Sequence, residues 1–221
     1  MKTNYTDIIK GMRYFRYKRD ILTVFQDCMK ILALRIAIVI DPYRNVERRK
    51  ELDATLKQYE DQDKPQLELL LEKFTGMLKM SIDNFDDHLG NIYMQLVPKS
   101  ANKMGVAFTP YYLSRVMAEL TLNFDQFNTK DVIGINDPCC GGGALLVAAC
   151  DALNDRKINY ARRVIINAND IQITCVYMTF LQLSFIGASA IVEHKNTITQ
   201  EKWDEFRTAG YLLIHAKGGA L

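Results

Sequence analysis

The stretch VIGINDPCCGGG, residues 132–143, decides the fold, together with the apolar segment 144–153 that follows it. Its β-branched start predicts a strand, the three consecutive glycines at its end predict a tight turn, and the apolar segment predicts a helix. The pattern occurs a second time, with a predicted strand at 164–168 and a predicted helix at 171–186. Strands that alternate with helices predict βαβ units and a parallel sheet of the α/β class.

Two further strands are predicted at residues 190–192 and 211–214, which gives a sheet of about four strands. The first 96 residues have a helical pattern instead, because apolar residues recur every three or four positions from Ile21 to Ile36. Asp41 and Pro42 end that helix, and a second and a third helix are predicted on either side of Pro65. We therefore expect a helical N-terminal domain, residues 1–96, and a Rossmann-like domain, residues 97–221, with an incomplete sheet.

Composition indicates a globular protein, since 48% of the 221 residues are hydrophobic and 24% are charged. The net charge of +2 argues neither for nor against a polyanionic partner. One local stretch is basic and interleaved with aromatic residues, which suits contacts with phosphates and bases, but a solvated helix face with buried aromatics has the same pattern. Its cations, the candidate nucleic-acid contacts, are Lys10, Arg13, Arg16, Lys18 and Arg19.

The five cysteines have no paired spacing typical of a zinc or redox site, so they are interpreted as reduced thiols of a cytoplasmic protein. The three histidines are too scattered to suggest metal binding. No secretion signal is recognised at the start of the sequence. The most apolar run, residues 31–40, contains Arg35 and is shorter than the ~20 residues of a membrane helix, so no membrane span is expected.

The glycine turn is the predicted binding site, because ligands of open parallel sheets bind beyond the carboxyl ends of the strands. Glycines let the backbone approach a ligand, and the amides at a helix start favour a carboxylate or another polar group. Asp137 could accept a hydrogen bond from an ammonium group. Asp170, about thirty positions after the turn and at the end of the second strand, suits the hydroxyls of a ribose, but it could also cap the following helix.

Four segments together resemble a known family: HLGNIY at 88–93, GVAFTP at 105–110, DPCCGGGALL at 137–146 and NDI at 169–171. Their order and spacing are similar to those of the modification subunits of type I restriction systems. Those proteins are S-adenosylmethionine (SAM)-dependent DNA methyltransferases that act on the N6 amine of adenine. The resemblance covers residues 86–197, and the earlier helical residues are compatible with it by position only.

The resemblance implies a SAM-dependent methyltransferase sheet, SAM as the cofactor and DNA as a partner. It places the FTP segment at the methionine end of the cofactor, the glycine turn at its centre and Asp170 at the ribose. Asn196 resembles a residue that faces the adenine ring, although an ordinary surface turn also explains it. The implied cofactor-binding residues are Phe108, Thr109, Pro110, Asp137, Pro138, Gly141, Gly143, Asp170, Ile171 and Asn196.

The sequence departs from this family at the acceptor site, because no N-P-P-[FY] tetrapeptide occurs in it. In the family that tetrapeptide holds the flipped adenine. The segment expected in its place, after the predicted strand 211–214, begins with His215. His215 is therefore the candidate catalytic residue, and a surface residue near the C-terminus is the alternative.

The sheet is also short, since about four strands are predicted and the family has seven. The fourth strand would lie at an open edge, which the N-terminal helices, a second copy of the chain or a partner subunit would have to cover. Residues 201–206 are predicted to form one amphipathic helical turn that packs Trp203 and Phe206 on the sheet.

Three functions remain open at this point. The first is a DNA methyltransferase domain, either completed by a partner or no longer active. The second is a non-enzymatic protein that mimics a modification subunit and binds DNA or a restriction subunit. The third is a small-molecule methyltransferase.

Overall fold

The computed structural model describes residues 5–97 and 108–216. Within these ranges the helices are α1 (Thr6–Arg13), α2 (Ile21–Ile40), α3 (Asn45–Leu56), α4 (Lys64–Lys79), α5 (His88–Leu96), α6 (Tyr111–Thr121), α7 (Ala144–Asp155), α8 (Tyr160–Arg163), α9 (Ile173–Phe185) and α10 (Ala209–Ala216). The strands are β1 (Ile133–Asp137), β2 (Val164–Asp170), β3 (Ala190–Lys195) and β4 (Lys202–Arg207). Two short 3-10 turns cover Met80–Ile82 and Phe124–Asn128.

The first part of the chain is helical, as predicted. α2 begins where the side chain of Asp20 accepts hydrogen bonds from the amides of Leu22 and Thr23, and it ends before Asp41. Pro65 lies in the first turn of α4, where its missing amide hydrogen breaks no helical hydrogen bond. Capping and proline placement therefore fix helix boundaries that the apolar spacing alone leaves open.

The sheet has the order β1-β2-β3-β4, with β1, β2 and β3 parallel as predicted. The prediction for the fourth strand is wrong in two respects. Residues 211–214 lie in α10, and residues 202–207, predicted as a helical turn, form β4, which is antiparallel to β3. A short apolar run such as 211–214 suits a helix or a strand equally well, and an antiparallel partner needs only the short connection 196–201.

The edge of the sheet at the fourth strand is covered in part by the N-terminal helices, which are one of the three covers expected from the sequence. The corner between α2 and α3 lies against β4, where Arg44 Nη1 donates to the carbonyl of Trp203 at 2.9 Å. Arg48 Nη2 donates to the carbonyl of Glu205 at 2.7 Å. The N-terminal helices thus satisfy part of the β4 edge, whereas β1 pairs only with β2 among the described strands.

A continuous hydrophobic core joins the helical segment to the sheet. The ring of Phe25 in α2 packs against Phe74 of α4 and Tyr93 of α5, and α2 itself lies against α9. On the other side of α9, Phe180 packs against Phe206 of β4. Helix α9 is therefore buried between the N-terminal helices and the sheet. In the part of the chain that the structure covers, no helix is long and apolar enough to cross a membrane.

Candidate cofactor site

The glycine turn lies where the carboxyl ends of β1 and β2 meet. The two strands pair in parallel, from Ile133 opposite Val164 to Asp137 opposite Ala168. The amide of Cys140 donates to the carbonyl of Asn169 at 3.0 Å. Next to it, the amide of Gly141 donates to Asp170 Oδ2 at 2.9 Å. These two hydrogen bonds join the glycine turn after β1 to the end of β2, so the predicted loop and the predicted acidic residue lie together in one candidate site.

Two of the glycines are required by their backbone conformation and their packing. Gly141 has φ +54° and Gly143 has φ +90°, both in the left-handed region that side chains disfavour. A Cβ at Gly141 would lie 3.2 Å from the ring of Phe108, and a Cβ at Gly143 would lie 3.0 Å from Thr179 Oγ1. The turn therefore keeps its shape only with glycine at these positions.

The amides of the turn are not equivalent. Gly141 donates to Asp170, and Gly143 donates to the carbonyl of Cys140 at 2.8 Å, so both are used within the protein. Within the described residues, the amide of Gly142 and those of residues 144–146 in the first turn of α7 have no hydrogen-bond partner. Amides of this kind at the start of a helix suit a carboxylate or another polar group.

Two carboxylates border the turn. Asp137 Oδ1 accepts a hydrogen bond from the amide of Cys139 at 3.2 Å. Burial raises the pKa of Asp137 above its ordinary value, and the negative charge of Asp170 raises it further. Asp170 Oδ1 accepts from the amide of Gln172 at 2.8 Å, but α9 begins only at Ile173 with Gln172 as its N-cap, so Asp170 supports the turn before the helix without capping it.

The FTP segment, residues 108–110, also lies beside the glycine turn. The ring of Phe108 lies beside the turn, since a Cβ added at Gly141 would be 3.2 Å from it and one added at Gly142 would be 3.7 Å from it. Its centroid is 5.3 Å from that of Tyr93 in α5. Pro110 is the N-cap of α6, and Thr109 is exposed. The preceding GVA of the motif, residues 105–107, lies outside the described residues.

The segment after β3 contacts the turn through Thr197. Both the hydroxyl of Thr197 and the side-chain amide of Asn169 donate to the carbonyl of Pro138. Asn196 Oδ1 instead accepts from the amides of Ile198 and Thr199 and so shapes a local turn. A contact between Asn196 and an adenine ring stays a prediction.

Two buried polar residues of α9, absent from the sequence-based prediction, hold the turn. Thr179 Oγ1 donates to the carbonyl of Gly141 at 2.9 Å. Gln182 Nε2 donates to the carbonyl of Gly142 at 2.6 Å. Thr179 is completely buried and Gln182 is 2% exposed. They are two of several polar residues in a mostly apolar helix, so no pattern in the sequence distinguishes them.

Below the turn lies a third buried polar group, Asp87. Its Oδ1 accepts from the amide of Gly90 at 2.9 Å, which caps α5, and from Gln182 Nε2 at 2.9 Å. A Cβ at Gly90 would lie 2.0 Å from Asp87 Oδ2, so glycine is obligatory there. Burial raises the pKa of Asp87. The segment around residues 87–93 is therefore the support of the glycine turn.

The basic stretch divides into cations with and without a salt bridge. Lys18 forms salt bridges with Glu60 and Asp63, and Arg19 stacks on the ring of Tyr59. Within the described residues Lys10, Arg13 and Arg16 form no salt bridge. The two neighbouring aromatic residues also differ, since Phe15 is buried and Tyr17 is exposed. Nucleic-acid binding by the five cations of this stretch stays a prediction.

The predicted position of His215, at the end of a fourth strand and near an acceptor, is wrong. Residue 215 belongs to α10. Because β4 runs antiparallel to β3, it ends beside the start of β3, far from the carboxyl ends of β1 and β2 where the glycine turn lies. The residues expected to follow, 217–219, lie outside the described residues. A role for His215 in methyl transfer has no support from this topology.

The two cysteines of the glycine turn differ in burial. Burial raises the pKa of Cys140 to about 12, and Cys139 is exposed. All five cysteines are free. In the described part of the chain no group of three His, Cys, Asp or Glu side chains is arranged to hold a metal ion.

Residues 84–214 match a protein family described as N-6 DNA methylase. No curated protein matches the chain. A solved structure that is similar comes from Listeria monocytogenes and is described as a putative class I S-adenosylmethionine-dependent methyltransferase, with 18% sequence identity and a TM-score of 0.40. The match covers 80% of this chain and 54% of that one, so the chain spans about half the length of that protein. Because the family match extends over more than half of its residues, the chain belongs to the N-6 DNA methylase family.

Proposed function

We propose that the chain binds SAM at the glycine turn and is the cofactor-binding part of an adenine-N6 DNA methyltransferase of a restriction-modification or mobile-element system. We further propose that a partner subunit supplies the groups that position the adenine. The observation that carries the proposal is the contact between Gly141 and Asp170, which joins the glycine turn to the carboxylate and leaves the amide of Gly142 available.

The polar groups of the turn fit the parts of SAM. Its carboxylate matches the available amides of Gly142 and of the first turn of α7, and its ammonium matches Asp137. Asp170 keeps lone pairs beside those used by the two backbone amides, which suits the ribose hydroxyls. Ile171, 58% exposed beside Asp170, offers an apolar surface to the adenine ring. When bound, SAM supplies an electrophilic methyl group on its sulfonium.

The acceptor side is the part that the chain does not supply. A neutral exocyclic amine is a poor nucleophile, so its orientation at the methyl group contributes much of the catalysis. No N-P-P-[FY] tetrapeptide occurs in the 221 residues. DNA as the substrate is the part of the proposal that rests on the family. The cytoplasmic location is proposed from the spacing of the cysteines, and the partner or second copy from the missing tetrapeptide.

The first experiment is calorimetric titration of the folded chain with SAM, with Asp137→Ala and Asp170→Ala as site variants. Asp53→Ala is the control, since Asp53 is an exposed residue of α3. Micromolar binding that both site variants lose and the control keeps would support the cofactor site. Absence of binding by the folded wild type would overturn it and favour the non-enzymatic interaction protein.

A second experiment tests the reaction. Radioactive methyl transfer from SAM to adenine in DNA is measured with the chain alone and with added modification and specificity subunits. We expect transfer only in the presence of a partner. If SAM binds but no combination methylates DNA, the chain is a cofactor-binding relative without activity. Transfer to free nucleosides or small amines instead would favour a small-molecule methyltransferase.

A further inference from the structure

We propose that Thr179 and Gln182 of α9 are positioning residues, which hold two consecutive carbonyls of the glycine turn and thereby aim the amide of Gly142 at the cofactor. The inference rests on the proposed SAM binding and adds two residues to that site. Neither side chain would touch the cofactor. Both act through the backbone of the turn.

The hydrogen bond from Thr179 to the carbonyl of Gly141 sets the direction of the Gly142 amide. The described chain contains no cis peptide bond, so the carbonyl of Gly141 and the amide of Gly142 point in opposite directions across one planar unit. Thr179 Oγ1 donates to that carbonyl at 2.9 Å from the buried side. The amide of Gly142 must then point away from α9, and it is one of the amides without a partner in the described structure.

Gln182 fixes the next peptide unit and ties it to a third element. Its Nε2 donates to the carbonyl of Gly142 at 2.6 Å and to Asp87 Oδ1 at 2.9 Å. Its Oε1 faces the amide of Leu89 at 3.4 Å. Both hydrogens of the amide group are thus used, and one buried side chain joins α9, the glycine turn and the start of α5. Only a carboxamide of this length offers two donors and one acceptor here.

The two residues lie three positions apart, so they share one face of α9 and meet consecutive residues of the turn. Glycines at 141 and 143 give the turn little conformational restraint of its own, because glycine populates positive and negative φ about equally. The turn therefore depends on its hydrogen bonds for its shape. The only direct hold on its carbonyls at positions 141 and 142, among the described residues, comes from α9.

The test uses variants of Thr179 that separate the hydroxyl from the methyl group. Thr179→Val keeps the shape and removes the donor, and Thr179→Ser keeps the donor and removes the methyl group. We expect SAM to bind about tenfold more weakly to Thr179→Val, as for one buried hydrogen bond, and within about threefold of wild type to Thr179→Ser. Circular dichroism and the Tm show that each variant is folded at the temperature of the titration.

Hydrogen exchange supplies the readout that a purely structural role would not move. We expect the peptide that contains residues 139–143 to exchange faster in Thr179→Val than in Thr179→Ser, with β2 and α2 unchanged. Gln182→Met, which has similar length and no donor, should weaken SAM binding by about tenfold or more. The Gln182→Met variant tests the inference in place of Thr179→Val if that variant does not fold.

The inference is overturned if the folded Thr179→Val, or in its place Gln182→Met, binds SAM with wild-type affinity. It is also overturned if Thr179→Ser loses as much affinity as Thr179→Val, because the methyl group would then be the important part. Failure of the wild type itself to bind SAM is a different result, which rejects the proposed cofactor site.

Discussion

The amide of Gly141 and the carboxylate of Asp170 are 2.9 Å apart, although 29 residues separate them in the chain. Gly141 lies in the turn after β1 and Asp170 is the last residue of β2, and the parallel pairing of β1 with β2 brings the two strand ends together. The carboxylate that the family resemblance assigns to a ribose thus also holds the glycine turn. Two roles of one side chain make its replacement a sharp test.

Asp170→Ala is expected to weaken SAM binding by at least about tenfold, because it removes both the proposed ribose acceptor and a charged partner of the Gly141 amide. Titration calorimetry measures the affinity, and Asp53→Ala, in an exposed helical position, serves as the control. Wild-type affinity in Asp170→Ala would remove Asp170 from the site.

Gly143→Ala is expected to lower the free energy of unfolding by about 1 to 3 kcal/mol, because a side chain is strained at φ +90° and its Cβ would meet Thr179. Gly76→Ala is the matched substitution. Gly76 lies on the exposed face of α4, and a methyl group added there would meet no atom within 4 Å, so alanine should stabilise by about 0.5 to 1 kcal/mol. Urea denaturation measures both, and equal effects would contradict the strained geometry of the turn.

The affinity for SAM should depend on pH through Asp137. Burial and Asp170 raise its pKa, so the ionised form that attracts an ammonium appears at a higher pH than for an ordinary aspartate. Affinity should therefore rise as the pH rises through this raised pKa and fall on the acid side. Calorimetry across mildly acidic pH compares wild type with Asp137→Asn. Identical pH profiles would show that Asp137 does not bind the ammonium.

Asp87→Asn and Asp87→Ala should differ strongly in stability. Asparagine keeps an oxygen for Gly90 and Gln182, and the free energy of unfolding at neutral pH should stay within about 1 kcal/mol of wild type. Alanine leaves both donors without a partner, which should cost about 2 to 4 kcal/mol. Denaturation at neutral pH separates the two, and equal losses would mean that the shape of Asp87, and not its acceptor oxygen, is required.

The pH dependence of stability provides a second check on Asp87. Its raised pKa means that the folded protein holds the proton more tightly than the unfolded chain. This contribution to stability is present at low pH and is lost as the pH rises through the raised pKa. It should be missing in Asp87→Asn, and an unchanged pH profile in that variant would contradict the assignment.

Arg48→Ala should destabilise the protein by about 3 kcal/mol or more, because it empties a buried volume and removes the donor to the carbonyl of Glu205 in β4. The neighbouring Arg49 is exposed, and Arg49→Ala should change the free energy of unfolding by less than about 0.5 kcal/mol. Thermal or chemical denaturation tests the pair. A small effect of Arg48→Ala would show that the contact of α3 with the sheet edge is dispensable.

Local patterns in the sequence predicted much of the site. The run 132–143 marks a strand and a turn in consecutive residues, and Asp170 ends the next strand, so the parallel pairing brings the turn and Asp170 together. Thr179 and Gln182 escaped prediction because nothing in an apolar helix tells which face meets a backbone carbonyl.

The sequence by itself determined the helical start, the first three parallel strands and the glycine turn, because each depends on short-range periodicity and on glycine conformation. Only the tertiary structure decided the direction of β4, the helical conformation of residues 211–214 and the position of β1 at one edge among the described strands. Those features depend on contacts between distant residues, such as Phe206 against Phe180 and Arg48 against Glu205. A short apolar run such as 211–214 has no strong preference for helix or strand, so its packing partners decide its conformation.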